Sequence, residues 1–170
     1  IQLTAAVKSS PSDSGGLDVQ MEGAMGKSDV TLKMNMAGNP SAWRDAPVTA
    51  QANVTNASGF ELLQQLRPGL DGMPADIFSA GPGTLSLEAS GVPKTGLSEK
   101  ITLSAGGANV TLQGTQSFAE ASASFDGSVS FNAKSTRSGM ALLGLQLPPA
   151  HGAELMQASA DIAWANSQYD

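Results

Sequence analysis

The side chains with the greatest catalytic potential in this chain lack the neighbours that catalysis requires. His151 is the single histidine, and it lies in the segment PPAHG, which is typical of a loop. An imidazole works as a general base when another group holds its tautomer and orientation, and no motif supplies a carboxylate for that role. We therefore interpret His151 as a surface loop residue and predict no catalytic residue.

Patterns that would hold a metal or a cofactor are also missing from the sequence. Asp126, Glu154 and Asp161 carry carboxylates, but their spacing matches neither a zinc site nor a calcium loop. The chain has no cysteine, which excludes thiolate nucleophiles, disulfides and cysteine-based zinc sites. No phosphate-binding loop or dinucleotide fingerprint occurs. The sequence therefore predicts a protein that is not an enzyme and has no cofactor; a hydrolase is the remote alternative, and it would need activity that depends on His151.

The size and charge of the chain limit the classes of partner. A chain of 170 residues is the size of one domain, and a net charge of −6 offers nothing to neutralise a row of nucleic-acid phosphates. The same charge argues against a basic patch for anionic headgroups. No run of about 18 apolar residues occurs, so no transmembrane helix is predicted. The chain opens within an alternating pattern, IQLTAAV, and we expect residues 1–170 to be a single domain cut from a longer protein.

A two-residue alternation of apolar and polar residues dominates the chain. Val30, Leu32, Met34 and Met36 alternate with polar residues, which is typical of a half-buried strand. The same pattern predicts strands near residues 1–9, 17–25, 28–37, 47–55, 83–90, 97–105, 108–116, 120–134 and 158–166. Short connections favour antiparallel pairing, and Gly106-Gly107 fits a tight hairpin turn. The predicted fold is mainly β, with a twisted or curled antiparallel sheet of about 8–9 strands.

Two short segments interrupt this alternation and predict two short helices. Residues 58–68 (SGFELLQQLRP) and 138–148 (SGMALLGLQLP) have helical spacing of apolar residues and end at a proline. Ser58 and Glu61 fit a capping box, in which each side chain accepts a hydrogen bond from the other's backbone amide.

The two helical segments are separated by 80 positions, and other matching residues share this separation. Gly26 matches Gly106, and VTL at residues 30–32 recurs at residues 110–112. We interpret the chain as two tandem related repeats, repeat 1 at about 1–80 and repeat 2 at about 81–160, each with about four strands and one helix. Coincidence in a chain rich in alanine, glycine and serine is the alternative.

The apolar sides of the predicted strands have the most potential for binding. They would line one side of a long sheet, and their larger members are Val30, Leu32, Met34, Met36, Leu85, Leu87, Ile101, Leu103, Val110, Leu112, Phe131, Ile162 and Trp164. One interpretation is an ordinary core beneath the two helices. The other is a groove whose apolar lining stays open to acyl chains, because large exposed apolar surfaces are rare unless they bind something. Trp43 lies in a predicted loop and could cap an edge or the mouth of such a groove.

The segment after residue 120 has a recognisable arrangement. Residues 125–131 (FDGSVSF), a spacer, residues 142–148 (LLGLQLP) and a final alternating strand resemble the C-terminal region of the AsmA-like family, large envelope proteins of Gram-negative bacteria. The similarity is clearest over residues 120–166. It extends weakly to residues 53–70, where Gln65-Leu66-Arg67 departs from the pattern.

The resemblance implies an inner-membrane anchor outside this chain, followed by periplasmic β-sheet repeats with a groove that accommodates lipid. It implies a non-enzymatic role in phospholipid transport and outer membrane biogenesis, with phospholipid as the partner and the periplasm as the location. It carries over no catalytic residue. The alternative function is a structural or protein-interaction β-repeat module of the cell envelope with a closed core.

Overall fold

The described residues form one open antiparallel sheet in which every strand pairs with its neighbours in the chain. The computed structural model describes residues 2–9, 15–66, 75–78, 81–119, 122–142 and 154–167. The strands are β1 (Gln2–Ser9), β2 (Gly16–Met25), β3 (Ser28–Ala37), β4 (Val48–Asn56), β5 (Gly83–Val92), β6 (Gly96–Ala105), β7 (Ala108–Ala119), β8 (Ser122–Ala133) and β9 (Met156–Ser167). They lie in the order β1 to β9, with β1 and β9 as the edges of a 9-stranded sheet. The predicted mainly β, antiparallel fold is confirmed.

Tight turns with glycine in the left-handed region join two of the strand pairs. Gly26, between β2 and β3, has a φ of 64°. Gly106 and Gly107, between β6 and β7, have φ values of 57° and 76°, and the flanking Ala105 and Ala108 are a register pair. Two central residues with positive φ are the signature of a type I′ turn, whose twist matches that of the strands. The predicted hairpin at Gly106-Gly107 is therefore confirmed.

The described α-helical segments are α1 (Gly59–Leu66), α2 (Ala75–Phe78) and α3 (Thr136–Leu142). Ser58 caps α1, since its Oγ accepts a hydrogen bond from the Glu61 amide at 3.4 Å. The reciprocal half of the predicted capping box is wrong. The Ser58 amide donates instead to Asn56 Oδ1 at 2.8 Å, and the Glu61 carboxylate forms an ion pair with Lys27 at 2.7 Å.

The third helix begins earlier than the sequence predicts. Ser135 Oγ accepts a hydrogen bond from the Ser138 amide at 3.1 Å, so Ser135 rather than Ser138 caps α3. The later part of that predicted helix, including Pro148, lies outside the described residues, as does Pro68 after the first helix. The short helix α2 has no sequence signal, because a helix of 4 residues is too short to show a helical period.

The helices and the buried core lie at one end of the sheet. α1 contacts β4, β5, β6 and α2, whereas α3 contacts β7 and β8. One buried cluster joins Leu63, Phe78, Ala105 and Ala141, and a second joins Ala108, Phe131 and Ala133. Both clusters adjoin the β6–β7 turn. The helices therefore cover the end of the sheet at which this turn lies, which we call the helical end.

Candidate functional site

Strand register places the residues of the predicted apolar surface on one face of the sheet. Partners across an antiparallel pair share a face, and successive residues of a strand alternate between faces. One row runs through Val30, Val54, Leu85, Leu103, Val110 and Phe131. The next row runs through Leu32, Ala52, Leu87, Ile101, Leu112 and Val129. Met34 and Ile162 lie in a third row of the same face, and Met36 and Trp164 lie in a fourth.

The two ends of this apolar face are covered. At the helical end, Leu103 packs against the cluster that contains Leu63 and Phe78, while Phe131 is buried beside Val110 and Leu142. At the opposite end, Met36 and Ala46 are buried, and the loop that carries Trp43 folds against β7. We call this second region the loop end.

The middle of the apolar face keeps partial access to solvent. We define the apolar strip as the half-buried or exposed large side chains between the two covered ends, namely Leu32, Met34, Leu87, Ile101, Leu112 and Ile162. Access increases towards the β9 edge, where Ile162 is 37% and Trp164 is 45% exposed. The predicted residues are thus divided among a helix-covered core, which takes Leu103, Val110 and Phe131, the covered loop end, which takes Met36, and an uncovered strip.

A large cavity lies on the other face of the sheet. Its volume is about 1070 Å³, and it is lined by the polar residues that flank the third row on both sides and by members of that row, such as Met34, Ala89 and Glu99. One polar row includes Asn35, Thr49, Ser90, Ser98, Thr115 and Asp126, and the other includes Lys33, Gln51, Glu88, Lys100, Gln113 and Asp161. This polar trough crosses the strands and presents hydroxyl, amide and charged groups.

One carboxylate lies within the apolar face. Glu99 belongs to the third row, between Ala89 on β5 and Gly114 on β7. Burial raises the pKa of Glu99 above its ordinary value of 4.5. With the Gln116 amide nitrogen turned towards Glu99, Gln116 donates hydrogen bonds of 3.0 and 3.3 Å to the two carboxylate oxygens. The sequence signal for Glu99 was a break in the alternation between Leu97 and Ile101, which the sequence analysis missed.

A small pocket lies at the loop end. It has a volume of about 220 Å³ and is lined by Ser41, Ala42, Trp43, Arg44, Asp45, Lys94 and Phe118. The Trp43 and Phe118 rings meet edge to face at 5.9 Å between centroids, and the Arg44 guanidinium carbon lies 5.5 Å from the centroid of the Trp43 ring. Trp43 thus caps one end of the apolar face. The contributions of Arg44, Lys94 and Phe118 were missed, because they come from three separate segments.

Chemical sites of other kinds are not found in the part of the chain that the structure describes. The described residues contain no group of three or more His, Cys, Asp or Glu side chains placed to hold a metal ion. None of the described helices is long and apolar enough to cross a membrane. His151 lies outside the described residues. Comparison with protein-family models, curated proteins and solved structures finds no match to this chain.

Proposed function

We propose that this chain is a non-enzymatic segment of an AsmA-like envelope protein of Gram-negative bacteria, and that its apolar strip contacts the acyl chains of phospholipids on their way to the outer membrane. The observation that carries the proposal is the strip itself. In-register apolar rows cross the sheet between two covered ends, and their middle stays accessible. Contiguous apolar surface that remains accessible is typical of a binding surface. The flexible thioether of Met34 suits a surface that must adapt to different chains.

A tandem duplication of the sheet belongs to this proposal. β2 begins at Gly16 and β6 at Gly96, while β3 begins at Ser28 and β7 at Ala108, so both pairs are 80 positions apart. α1 and α3 begin 77 positions apart, at Gly59 and Thr136. These spacings support two related units near residues 1–80 and 81–160, with a three-residue difference before the helix rather than an ungapped repeat.

The location and the anchor are part of the same proposal. A periplasmic segment attached to the inner membrane by an anchor outside this chain is supported by the resemblance of residues 125–131 and 142–148 to the family. Native mass spectrometry of the whole periplasmic region tests this directly. We expect phospholipid adducts on that region, and their consistent absence would contradict a role in lipid transport.

A charged substitution in the apolar strip tests whether the strip contacts lipid, and it does so independently of an effect on folding. Leu112 is half-buried in the strip, whereas its neighbour Gln113 lines the polar trough on the other face. We expect Leu112→Asp to lower phospholipid loading about tenfold or more, because a carboxylate against hydrocarbon loses its hydration. Gln113→Asp adds the same charge one residue away and should leave loading unchanged.

Thermal unfolding of both variants provides the folding control for this comparison. Equal loading of lipid by a folded Leu112→Asp variant and by the wild type would overturn the lipid-contact proposal. Phe131 is a poor site for this test, because it is buried beneath α3 and its replacement would disturb the core.

A second candidate function is supported by the β9 edge. Ile162 and Trp164 are exposed on an edge strand of 12 residues, Met156–Ser167, that contains no proline and no lysine. Long apolar edges of this kind pair readily with other protein strands. A structural or protein-interaction module of the cell envelope is therefore the alternative, and it predicts a protein partner without bound lipid.

A further inference from the structure

The pocket at the loop end combines a cation with an apolar wall. Trp43 and Phe118 supply the wall, and Phe118 lies on the apolar face by strand register, since it pairs with Ala123. Trp43 is 42% exposed although it packs on Phe118. An indole that packs on an apolar ring and is partly exposed to solvent is suited to the boundary between acyl chains and a polar headgroup. The pocket thus stands where the apolar face ends.

Arg44 has the hydrogen-bond donors that an anion requires. Its guanidinium carbon lies 5.5 Å from the centroid of the Trp43 ring, within cation–π range, and a guanidinium carries N–H donors in its own plane. Among the described residues it forms no ion pair with a carboxylate, whereas the neighbouring Asp45 pairs with Lys94 at 3.0 Å. An arginine held in this way favours a phosphate group, which it binds through two parallel hydrogen bonds.

The backbone around the pocket is held by three segments. The Lys94 amide donates to the Arg44 carbonyl at 2.8 Å, which ties the β5–β6 turn to the loop that carries Trp43. The Phe118 amide donates to the Pro93 carbonyl at 2.8 Å, which ties β7 to the same turn. The loop is further organised by Asn39, whose Oδ1 accepts a hydrogen bond from the Ser41 amide at 3.0 Å. The pocket is therefore built by the fold rather than by one flexible loop.

The size of the pocket fits one small polar group. Its volume of about 220 Å³ is below the roughly 300–1,000 Å³ of pockets that enclose whole drug-sized ligands. A headgroup phosphate can occupy it only if the rest of the ligand leaves towards the adjoining apolar surface. β7 leads from Phe118 past Gln116, which faces Glu99, to Leu112 in the apolar strip, since these residues share one face.

We infer that the pocket formed by Trp43, Arg44, Lys94 and Phe118 binds the phosphate group of a lipid whose acyl chain lies along the apolar strip. This inference rests on the proposed function and adds to it the headgroup and the direction of the chain. The bound class is a phospholipid or lysophospholipid. A neutral acylglycerol would contact the strip without using the pocket.

The test compares two ligands that differ in their phosphate. Binding of a lysophospholipid and of the monoacylglycerol with the same acyl chain is measured by calorimetry, below the concentration at which either forms micelles. We expect Arg44→Gln to weaken lysophospholipid binding about tenfold, because charge-assisted hydrogen bonds are lost, and to leave monoacylglycerol binding unchanged. Lys33→Gln removes the same charge from the polar trough and should alter neither affinity.

The other outcomes overturn the inference in distinguishable ways. Both ligands binding with no dependence on Arg44 would refute the headgroup pocket while leaving acyl contact with the strip intact. Failure of both ligands to bind the wild type would refute the pocket and the proposed function together. Inorganic phosphate binding as tightly as the lysophospholipid would show a free-anion site and no role for the acyl chain.

Discussion

At the residue scale, the least expected side chain is Glu99. It lies on a face whose large side chains are mostly apolar, and the residues that flank it there, Ala89, Gly114, Leu97 and Ile101, carry no charge. Its polar neighbour is Gln116, and no cation adjoins it in the two rows concerned. Burial without a compensating charge favours the protonated acid, which explains the raised pKa.

Replacing Glu99 should change how stability depends on pH. Because the pKa of Glu99 in the folded protein lies above its unfolded value, its favourable contribution is present below the ordinary carboxyl range and is lost as pH rises through the folded value. We expect Glu99→Gln to raise the midpoint of thermal unfolding at pH 7 and to change it little at pH 4. Glu22→Gln removes a carboxylate from the polar face, between Thr4 and Thr31, and is the control for the loss of one negative charge. An equal effect of Glu99→Gln at both pH values would contradict this explanation.

At the element scale, contacts between the helices and the turns of the sheet hold the helices against the sheet. Ser28 Oγ donates to Gln65 Oε1 at 2.6 Å and accepts from Asn56 Nδ2 at 2.9 Å, which joins α1 to β3 and β4. At the β6–β7 turn the contact is apolar instead. The Phe78 side chain is fully buried and lies so close to Gly106 that an added Cβ would come within 2.4 Å of its ring.

The two turn glycines provide a matched test of that contact. Both have positive φ, so alanine at either position is strained by about 1–2 kcal/mol. A Cβ at Gly107 would meet Lys134 at 3.4 Å, whereas one at Gly106 would collide with Phe78 and with the Ile77 carbonyl. We expect Gly106→Ala to lower the free energy of unfolding by about 1–3 kcal/mol more than Gly107→Ala does, as measured in urea. Equal losses would mean that α2 does not press on this turn in solution.

At the scale of the whole molecule, the sheet separates two surfaces of opposite character. The polar rows line the trough of about 1070 Å³, while the apolar rows are covered at both ends and accessible between them. Among the described residues β1 and β9 do not pair with each other, so the sheet is not closed. Apolar exposure is greatest at β9, so this edge is where we expect association between molecules.

Two lysine substitutions on β9 distinguish association through the apolar face from pairing of strand edges. Ile162 lies on the apolar face, whereas Ala163 lies on the polar face of the same strand. We expect the chain to associate with rising concentration in sedimentation velocity, Ile162→Lys to abolish this, and Ala163→Lys to retain it. Loss of association in both variants would instead indicate backbone pairing along the edge.

Much of the fold was predictable, because an alternation of apolar and polar residues indicates a strand directly. The ten residues Ser28–Ala37 of β3 were predicted with the correct bounds, since apolar side chains recur at every second position and Gly26 marks the turn before them. The start of α3 was predicted wrongly, because Ser135 and Ser138 are both suitable caps and only the path of β8 selects Ser135.

Local periodicity and short connections are enough to predict the strands, their antiparallel order and one apolar face. Which part of that face is covered depends on tertiary contacts. The covered part of the apolar face depends on the positions of α1, α2 and α3. Those positions depend on contacts between residues far apart in the chain, such as Phe78 with Gly106. The same is true of the pocket at Trp43, Arg44, Lys94 and Phe118, whose parts come from three segments, and of the polar trough, whose lining comes from strands β2 to β9.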